Sequence, residues 1–245
     1  MGRIVSIGGG EIKLNETLHI DKEIIRLTGK KKPKALFIPT ASGDPSGYYE
    51  LFKKAYSKLG CTCDVLYLLK EKLSAAQIKK KILSADLIYV GGGNTLRMLK
   101  LWRKKGVDKL LIKAHKKGIV LSGLSAGAIC WARFGSSDSR KFSNPKNWKL
   151  IKIKGLHLLP LTLSPHHLRE PIRTPKLKEI MKTTPGIALG LDDNCALIVE
   201  DDSYRLLASK KGARAHKMYR TGNKVVHEVL KADNKKRKME ELLKR

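Results

Sequence analysis

The stretch IVLSGLSAGA, residues 119–128, decides how this chain is expected to fold. Its first four residues form an almost continuous apolar run, which predicts a buried strand over residues 119–122. Ser125 follows with small residues on both sides, and a helical pattern comes next. Gly-x-Ser-x-Gly between a strand and a helix is typical of a nucleophile elbow, because so tight a turn has no room for bulky neighbours. The alternative is that small residues merely let the helix pack close to the strand.

Upstream of this stretch, short apolar runs alternate with helical patterns. Strands are predicted over residues 3–7, 35–38, 63–69 and 86–90. Asp44-Pro45 predicts a helix start, Ser74 with Gln77 predicts a capping box, and Gly106 predicts a break in a long helical region. The alternation predicts an α/β fold with three α/β/α layers and a mostly parallel central sheet.

The pattern changes in the last part of the chain. Residues 133–149 are polar and predict a loop, and Thr174-Pro175 predicts one more short helix. From residue 187 onward the pattern is strand–turn–strand, which predicts a C-terminal β-hairpin region. We expect one domain over residues 1–230, followed by a charged helix or tail over residues 231–245.

Composition excludes several classes of protein. None of the apolar runs among the 245 residues approaches the roughly 20 needed to span a bilayer. The N-terminus has no leader pattern, and the 4 Cys form no CxxC or CxxH spacing, which argues against a disulfide framework or a zinc site. These features predict a reduced, cytoplasmic protein that is not associated with membranes.

The charge balance raises the question of nucleic acid. Lys and Arg number 51 against 22 Asp and Glu, a formal net charge of +29. Such a charge is compatible with nucleic-acid binding. Lys greatly outnumbers Arg, however, and the lysines are spread over every predicted helix without interleaved aromatics. A generally basic, solvated surface that attracts anionic substrates is therefore the preferred interpretation.

A second glycine-rich turn, residues 91–95 (GGGNT), follows the preceding predicted strand. Both turns would open at the carboxyl edge of one sheet, where α/β proteins bind ligands. Backbone N–H groups of Gly92 or Gly93, together with that of Ala126, would then form an oxyanion hole. A phosphate-binding loop is the weaker alternative, since the turn lacks the Lys-Ser/Thr of a P-loop and the full G-x-G-x-x-G spacing.

A serine nucleophile needs a base and an orienting acid. His166 stands out because Pro165 ends the apolar run before it and would present the imidazole at the sheet edge. His157 and His167 stay open as alternatives, and the commoner role of a histidine beside a proline is simply a surface position. The candidate acids are Asp192 and Asp193, which end another short apolar run, and Asp138 in the polar loop. Cys130, inside the following helix, is interpreted as a core residue.

With these residues in hand, the chain resembles the serine peptidases of the dipeptidase E (aspartyl dipeptidase) and cyanophycinase family. The resemblance covers most of the chain. It depends on the order and spacing of four motifs, which are residues 91–95 (GGGNT), 123–128 (GLSAGA), 165–166 (PH) and 190–193 (GLDD). It implies a class-I glutamine-amidotransferase-like fold.

Carried over position by position, the resemblance implies that Ser125 is the nucleophile, His166 the general base and Asp193 the orienting acid. It also implies an oxyanion hole formed by Gly93 and Ala126. The acid is often Glu in relatives and is Asp here, with Asp192 next to it, and His167 stands where an aromatic residue is usual.

Substrate-binding positions also follow from the resemblance. Aspartyl dipeptidases hold the substrate carboxylate with a basic residue, for which Arg173 is the best local match and Arg169 the alternative. Asn94, in the glycine-rich turn, is the other predicted substrate-binding residue.

The sequence therefore predicts a serine peptidase acting on small peptides, including Asp-X dipeptides, without a metal or organic cofactor, as a monomer or homodimer. One alternative is a catalytically silent amidotransferase-like domain that binds anionic partners such as RNA. Another is an esterase or amidase with a non-peptide substrate.

Overall fold

The chain forms two β-sheets surrounded by helices, as described by a computed structural model over residues 2–245. The strands are β1 (Arg3–Ile7), β2 (Lys34–Ile38), β3 (Thr62–Val65), β4 (Leu87–Val90), β5 (Val120–Leu124), β6 (Ala132–Ser137), β7 (Ile151–Lys154), β8 (Leu159–Ser164), β9 (Ile187–Leu191), β10 (Cys195–Glu200), β11 (Ser203–Ala208), β12 (Arg214–Thr221), β13 (Lys224–Lys231) and β14 (Arg237–Lys238). The helices are α1 (Leu18–Arg26), α2 (Ser46–Lys58), α3 (Ala75–Leu83), α4 (Thr95–Lys105), α5 (Val107–Lys116), α6 (Ala126–Ile129), α7 (Arg173–Thr183) and α8 (Met239–Leu243).

The larger sheet has the strand order β14-β11-β10-β1-β5-β4-β2-β3. The run from β1 to β3 is parallel, while β10, β11 and β14 add antiparallel pairs at the other side. This confirms the predicted α/β fold with a mostly parallel central sheet. Because parallel strands end at the same edge, the turns after β1, β4 and β5 share one rim of the molecule.

Both faces of this sheet are buried under helices. Along β1, Ile4 packs into one apolar cluster while Val5 and Ile7 pack into the other, as the twofold alternation of a strand requires. Helices α1 and α2 cover the face of Val5, where Phe52 and Tyr56 contribute stacked rings. Helices α3, α4 and α5 cover the opposite face, around the fully buried Trp102.

The second sheet has the order β13-β12-β9-β8-β6-β7 and was only partly expected. Its β9, β12 and β13 belong to the predicted strand–turn–strand region. The predicted loop over residues 133–149 is wrong in its first part, because Ala132–Ser137 form β6 and pair with β7 and β8. The prediction failed because the strand carries serines and an arginine instead of an apolar alternation. Helix α7 packs against β9 and β12 through Leu177 and Met181.

Two of the three predicted signals for helix ends are confirmed, and one is wrong. The capping box of α3 is confirmed, with Ser74 accepting from Gln77 N and Gln77 accepting from Ser74 N. Gly106 does separate α4 from α5, in a left-handed conformation with φ 69°. Asp44 is not the helix cap: its carboxylate instead accepts hydrogen bonds from the backbone of Leu68 and Leu69, while Pro45 precedes α2.

The last residues of the chain add β14 to the edge of the larger sheet and end in α8, whose Leu242 is buried. The extent of the domain, residues 1–230, stays a prediction. Among residues 2–245, none of the helices combines the length and apolar character needed to cross a membrane.

Candidate active site

Ser125 occupies a strained turn between β5 and α6. Its backbone has φ 56° and ψ −107°, which is unusual for a residue with a side chain. The flanking glycines make the turn possible: a Cβ on Gly127 would overlap the carbonyl oxygen of Val90, and one on Gly123 would lie 2.6 Å from the carbonyl oxygen of Gly127. A strained residue held in this way is often functional.

Three successive carbonyl groups at the end of β1 anchor the predicted catalytic residues. The carbonyl of Ile7 accepts from Ser125 N at 3.1 Å, and that of Gly8 accepts from His166 N at 3.1 Å. The carbonyl of Gly9 accepts from Asn194 N at 2.9 Å, directly after Asp193. Residues that are far apart in sequence are therefore attached to consecutive peptide groups at one sheet edge.

His166 and Asp193 form a hydrogen-bonded pair. The His166 Nδ1 atom lies 2.5 Å from Asp193 Oδ1, and the His166 backbone is in the left-handed region with φ 52°. Gly9 is packed against this pair, so that a Cβ there would overlap both Asp193 Oδ1 and His166 Nδ1. The sequence showed residues 8–10 only as the end of a strand; their steric and anchoring roles were missed.

The electrostatics keep the Asp193 carboxylate ionised. Partial burial opposes ionisation, but the hydrogen bond and charge of His166 and the guanidinium of Arg169 together hold the pKa of Asp193 below its usual value. Arg169 Nη1 lies 3.1 Å from Asp193 Oδ2. An ionised carboxylate at Nδ1 fixes the imidazole tautomer that leaves Nε2 as the basic nitrogen.

The hydroxyl of Ser125 donates no hydrogen bond within residues 2–245, and it is not bonded to His166. The backbones of Ser125 and His166 are therefore bonded to the neighbouring carbonyls of Ile7 and Gly8, but their side chains are not hydrogen-bonded to each other. Nucleophile–base contacts are often looser in the absence of substrate.

The glycine-rich turn after β4 lies beside the nucleophile. A Cβ on Gly92 would be 3.4 Å from Ser125 Cβ, so this glycine lies directly beside the serine. Neither the Gly93 N–H nor the Ala126 N–H has an acceptor among residues 2–245, whereas Gly92 N–H points to Tyr48 Oη at 3.4 Å. Free amides beside a serine suit a developing oxyanion.

An open cleft of about 290 Å³ adjoins this turn. Its lining includes Gly92, Gly93, Leu124 and Tyr48. Glu11 and Lys13 provide one side chain of each charge in its lining.

The predicted substrate-binding residues Arg173 and Asn94 both contact other residues of the chain. Arg173 is buried, with only 1% exposure, and forms ion pairs with Glu170 at 2.7 Å and with Asp138 at 3.8 Å. Its role in substrate binding stays a prediction. Asn94 caps α4 by accepting from Arg97 N and also donates to the carbonyl of Ser139. The alternative Arg169 is 54% exposed at the side chain.

The alternative acids and histidines form no part of the His166–Asp193 pair. Asp138 pairs with Arg173, and Asp192 accepts from the backbone of Arg214. His167 is buried and contacts Thr174, while His157 is exposed. Cys130 is buried, and its thiol donates to the carbonyl of Gly127. Among the three candidate acids, Asp193 alone contacts His166 within the part of the chain that the structure describes.

Similarity to solved structures supports this fold. The chain resembles the crystal structure of a peptidase from an acI-B1 Actinobacterium with a TM-score of 0.76 and 20% identity, covering 97% of each chain. It also resembles a putative peptidase E from Listeria monocytogenes EGD-e with a TM-score of 0.62 and 22% identity, covering 85% of this chain and 98% of the other.

The chain is also similar in sequence to bacterial peptidases over most of its length. The chain is 34% identical over 223 residues to the uncharacterized peptidase YgaJ of Bacillus subtilis, covering 89% of this chain and 92% of the relative. It is 27% identical over 207 residues to peptidase E of Shewanella denitrificans, covering 79% and 83%. The family model of peptidase family S51 matches residues 4–207. These findings confirm the resemblance that the four sequence motifs indicated, and the chain therefore belongs to peptidase family S51, a family of serine-type hydrolases.

Proposed function

We propose that this peptidase hydrolyses small peptides, including Asp-X dipeptides, through Ser125, His166 and Asp193. The proposal is supported above all by the three successive carbonyls of residues 7–9. They accept hydrogen bonds from Ser125, from His166 and from Asn194, which follows Asp193, and so hold all three segments at one sheet edge.

In the first half of the reaction, His166 Nε2 takes the Ser125 hydroxyl proton as Oγ attacks the amide carbonyl carbon. The carbonyl oxygen becomes an oxyanion, which accepts hydrogen bonds from Gly93 N–H and Ala126 N–H. The imidazolium then gives its proton to the leaving nitrogen as the C–N bond breaks, leaving an acyl-Ser125 ester and a free amine.

In the second half, His166 removes a proton from water, whose oxygen attacks the ester carbonyl. Collapse of the second tetrahedral intermediate breaks the ester bond, and the proton on His166 returns to Ser125 Oγ. Asp193 accepts from Nδ1 throughout and stabilises the imidazolium without taking its proton.

Two features favour short anionic substrates. The cleft beside Gly93 is near the lower end of the size of small-molecule sites, and its lining includes both an acidic and a basic side chain, which suits the two termini of a short peptide. Arg169 is exposed next to Asp193, and the net charge of +29 attracts anionic peptides from solution.

The test is a panel of free dipeptides followed by mass spectrometry of the released amino acids. Asp-X dipeptides should be cleaved faster than neutral dipeptides, N-acylated peptides or simple aryl esters. Ser125→Ala should reduce turnover by at least about 10⁴-fold, consistent with loss of a triad nucleophile.

Ser122→Ala is the matched control, because the Ser122 hydroxyl is buried and donates to the carbonyl of Ile88 at 2.9 Å. It should keep near-native turnover. Cleavage of esters but not of any dipeptide would replace the substrate assignment, and full activity in Ser125→Ala would overturn the mechanism.

A further inference from the structure

Three histidines converge on the second sheet, separate from the serine site. His216 lies on β12, His227 on the paired strand β13, and His167 follows β8. One side-chain nitrogen from each lies within 4.8 Å of both others. His167 and His216 are buried, and His227 is partly exposed at the rim. Their wide separation in sequence explains why no metal-ligand spacing was visible.

Hydrogen bonds of the two buried rings orient them for a shared ligand. His216 Nε2 lies 3.4 Å from Asp192 Oδ2, and His167 Nε2 lies 3.0 Å from Thr174 Oγ1. When both of these nitrogens donate, each ring keeps a lone pair on Nδ1. His167 Nδ1 is buried without a hydrogen-bond partner among residues 2–245. Metal-binding histidines commonly donate their second N–H to a carboxylate or another oxygen in this way.

The spacing is close to what a tetrahedral ion requires. His216 Nδ1 and His227 Nε2 are 3.1 Å apart. Two nitrogens at zinc distances of about 2.0–2.1 Å in tetrahedral geometry are separated by about 3.3 Å. The centroid of the His167 ring lies 4.6 Å from that of the His216 ring, and its ligand nitrogen lies within 4.8 Å of those of the other two histidines.

The charges around the cluster are mixed. Asp192 supplies a negative charge beside the rings, while Arg173 and Lys178 supply opposing positive charge. Neutral imidazoles favour Zn²⁺, Cu²⁺ and Ni²⁺ over Ca²⁺ or Mg²⁺.

We propose that His167, His216 and His227 bind one transition-metal ion, with Zn²⁺ as the first candidate, and that water completes its coordination. The ion would link the segment after β8 to the β12–β13 hairpin. Its role is structural, since the hydrolytic mechanism uses His166 and Asp193 and requires no metal.

The test measures Zn²⁺ binding to the full-length, chelator-treated protein by titration calorimetry and elemental analysis. We expect one Zn²⁺ per chain and an increase in thermal unfolding temperature on binding. His227→Gln and His216→Ala should weaken binding by at least about 100-fold, and Asp192→Asn by about 10-fold. His227→Gln is the safer variant for folding, because this side chain is only partly buried.

Controls separate this site from other ligands. His19→Ala, on the exposed face of α1, and His166→Ala should bind Zn²⁺ as the native chain does. X-ray absorption should show nitrogen ligands at about 2.0–2.1 Å. The proposal would be overturned if folded His227→Gln bound Zn²⁺ with unchanged affinity or if His166→Ala lost Zn²⁺ binding. Sulfur ligands in the X-ray absorption spectrum would also overturn it. Ser125→Ala should also bind Zn²⁺ normally, so the result is independent of the peptidase mechanism.

Discussion

Two pairs of adjacent residues, His166 with His167 and Asp192 with Asp193, serve different parts of the molecule. His166 and Asp193 contact each other beside the elbow of the larger sheet. His167 and Asp192 both approach His216 on the second sheet. The backbone shows the same division, because His166 N donates to Gly8 after β1 whereas His167 N donates to Leu191 of β9. The junction between the sheets therefore allows consecutive residues to supply the proposed catalytic pair and a separate histidine cluster.

The largest expected difference is between the two aspartates. Asp193→Asn should reduce kcat by about 10⁴-fold, because the carboxylate that holds the imidazole tautomer is lost. Asp192→Asn should leave kcat within a few-fold of native, since this side chain contacts His216 and the Arg214 backbone instead. Steady-state kinetics on the best dipeptide would measure both, and equal losses would refute the division of roles.

The two arginines provide a second contrast, in stability. Arg173→Gln should cost about 3 kcal/mol of unfolding free energy, because Glu170 loses its ion-pair partner at a buried position. Arg169→Gln should change stability by less than about 1 kcal/mol, since this side chain is mostly exposed. Urea unfolding of both variants would test this. If Arg169 holds the substrate carboxylate, its variant should mainly raise KM.

Gly9 and Gly190 pack against the two different histidines, so a methyl group at each position should affect a different site. A methyl group in Gly9→Ala would overlap His166 and Asp193, and we expect about a 10²-fold loss of kcat/KM from the misplaced base. A methyl group in Gly190→Ala would overlap the His167 ring instead and should impair Zn²⁺ binding more than peptide hydrolysis. Kinetics and metal titration on both proteins would reveal whether the effects separate.

The smallest expected effect concerns pH. Since the folded-state pKa of Asp193 is depressed, its ionised form stabilises the fold above the unfolded-state pKa near 3.8, and this contribution is lost as the pH falls through the folded-state pKa. The native chain should be more stable than Asp193→Asn by about 1.5 kcal/mol at pH 7, the magnitude of a hydrogen bond to a charged group. Denaturant unfolding should show this difference shrinking below about pH 4; a constant difference would contradict the assignment.

Local sequence signals were sufficient for the parallel strands of the larger sheet and for the turn at Ser125. Apolar runs ending in glycine identified β1, β4 and β5, because buried parallel strands are apolar on both faces. The steric need for small residues around Ser125 was equally visible. The same signals failed for β6, whose serines are buried by strand pairing and by contact of this strand with α6 and α7, which no local pattern encodes.

Side-chain partners were harder to predict because they depend on tertiary structure. Asp192 and Asp193 are chemically alike and adjacent, and only the packing of their turn against Gly9 distinguishes them. No signal in the sequence indicated the ion pairs that Arg173 forms with Glu170 and Asp138, because those contacts exist only in the folded chain. The histidine cluster requires β12, β13 and the end of β8 to be assembled before it exists.

Active-site labelling would show whether His166 activates Ser125 as a nucleophile. A fluorophosphonate probe followed by peptide mass spectrometry should modify Ser125 in the native chain, react far more slowly with His166→Ala, and fail to modify Ser125→Ala. Modification of another residue, or an unreactive Ser125 in folded protein that hydrolyses peptides, would contradict the account.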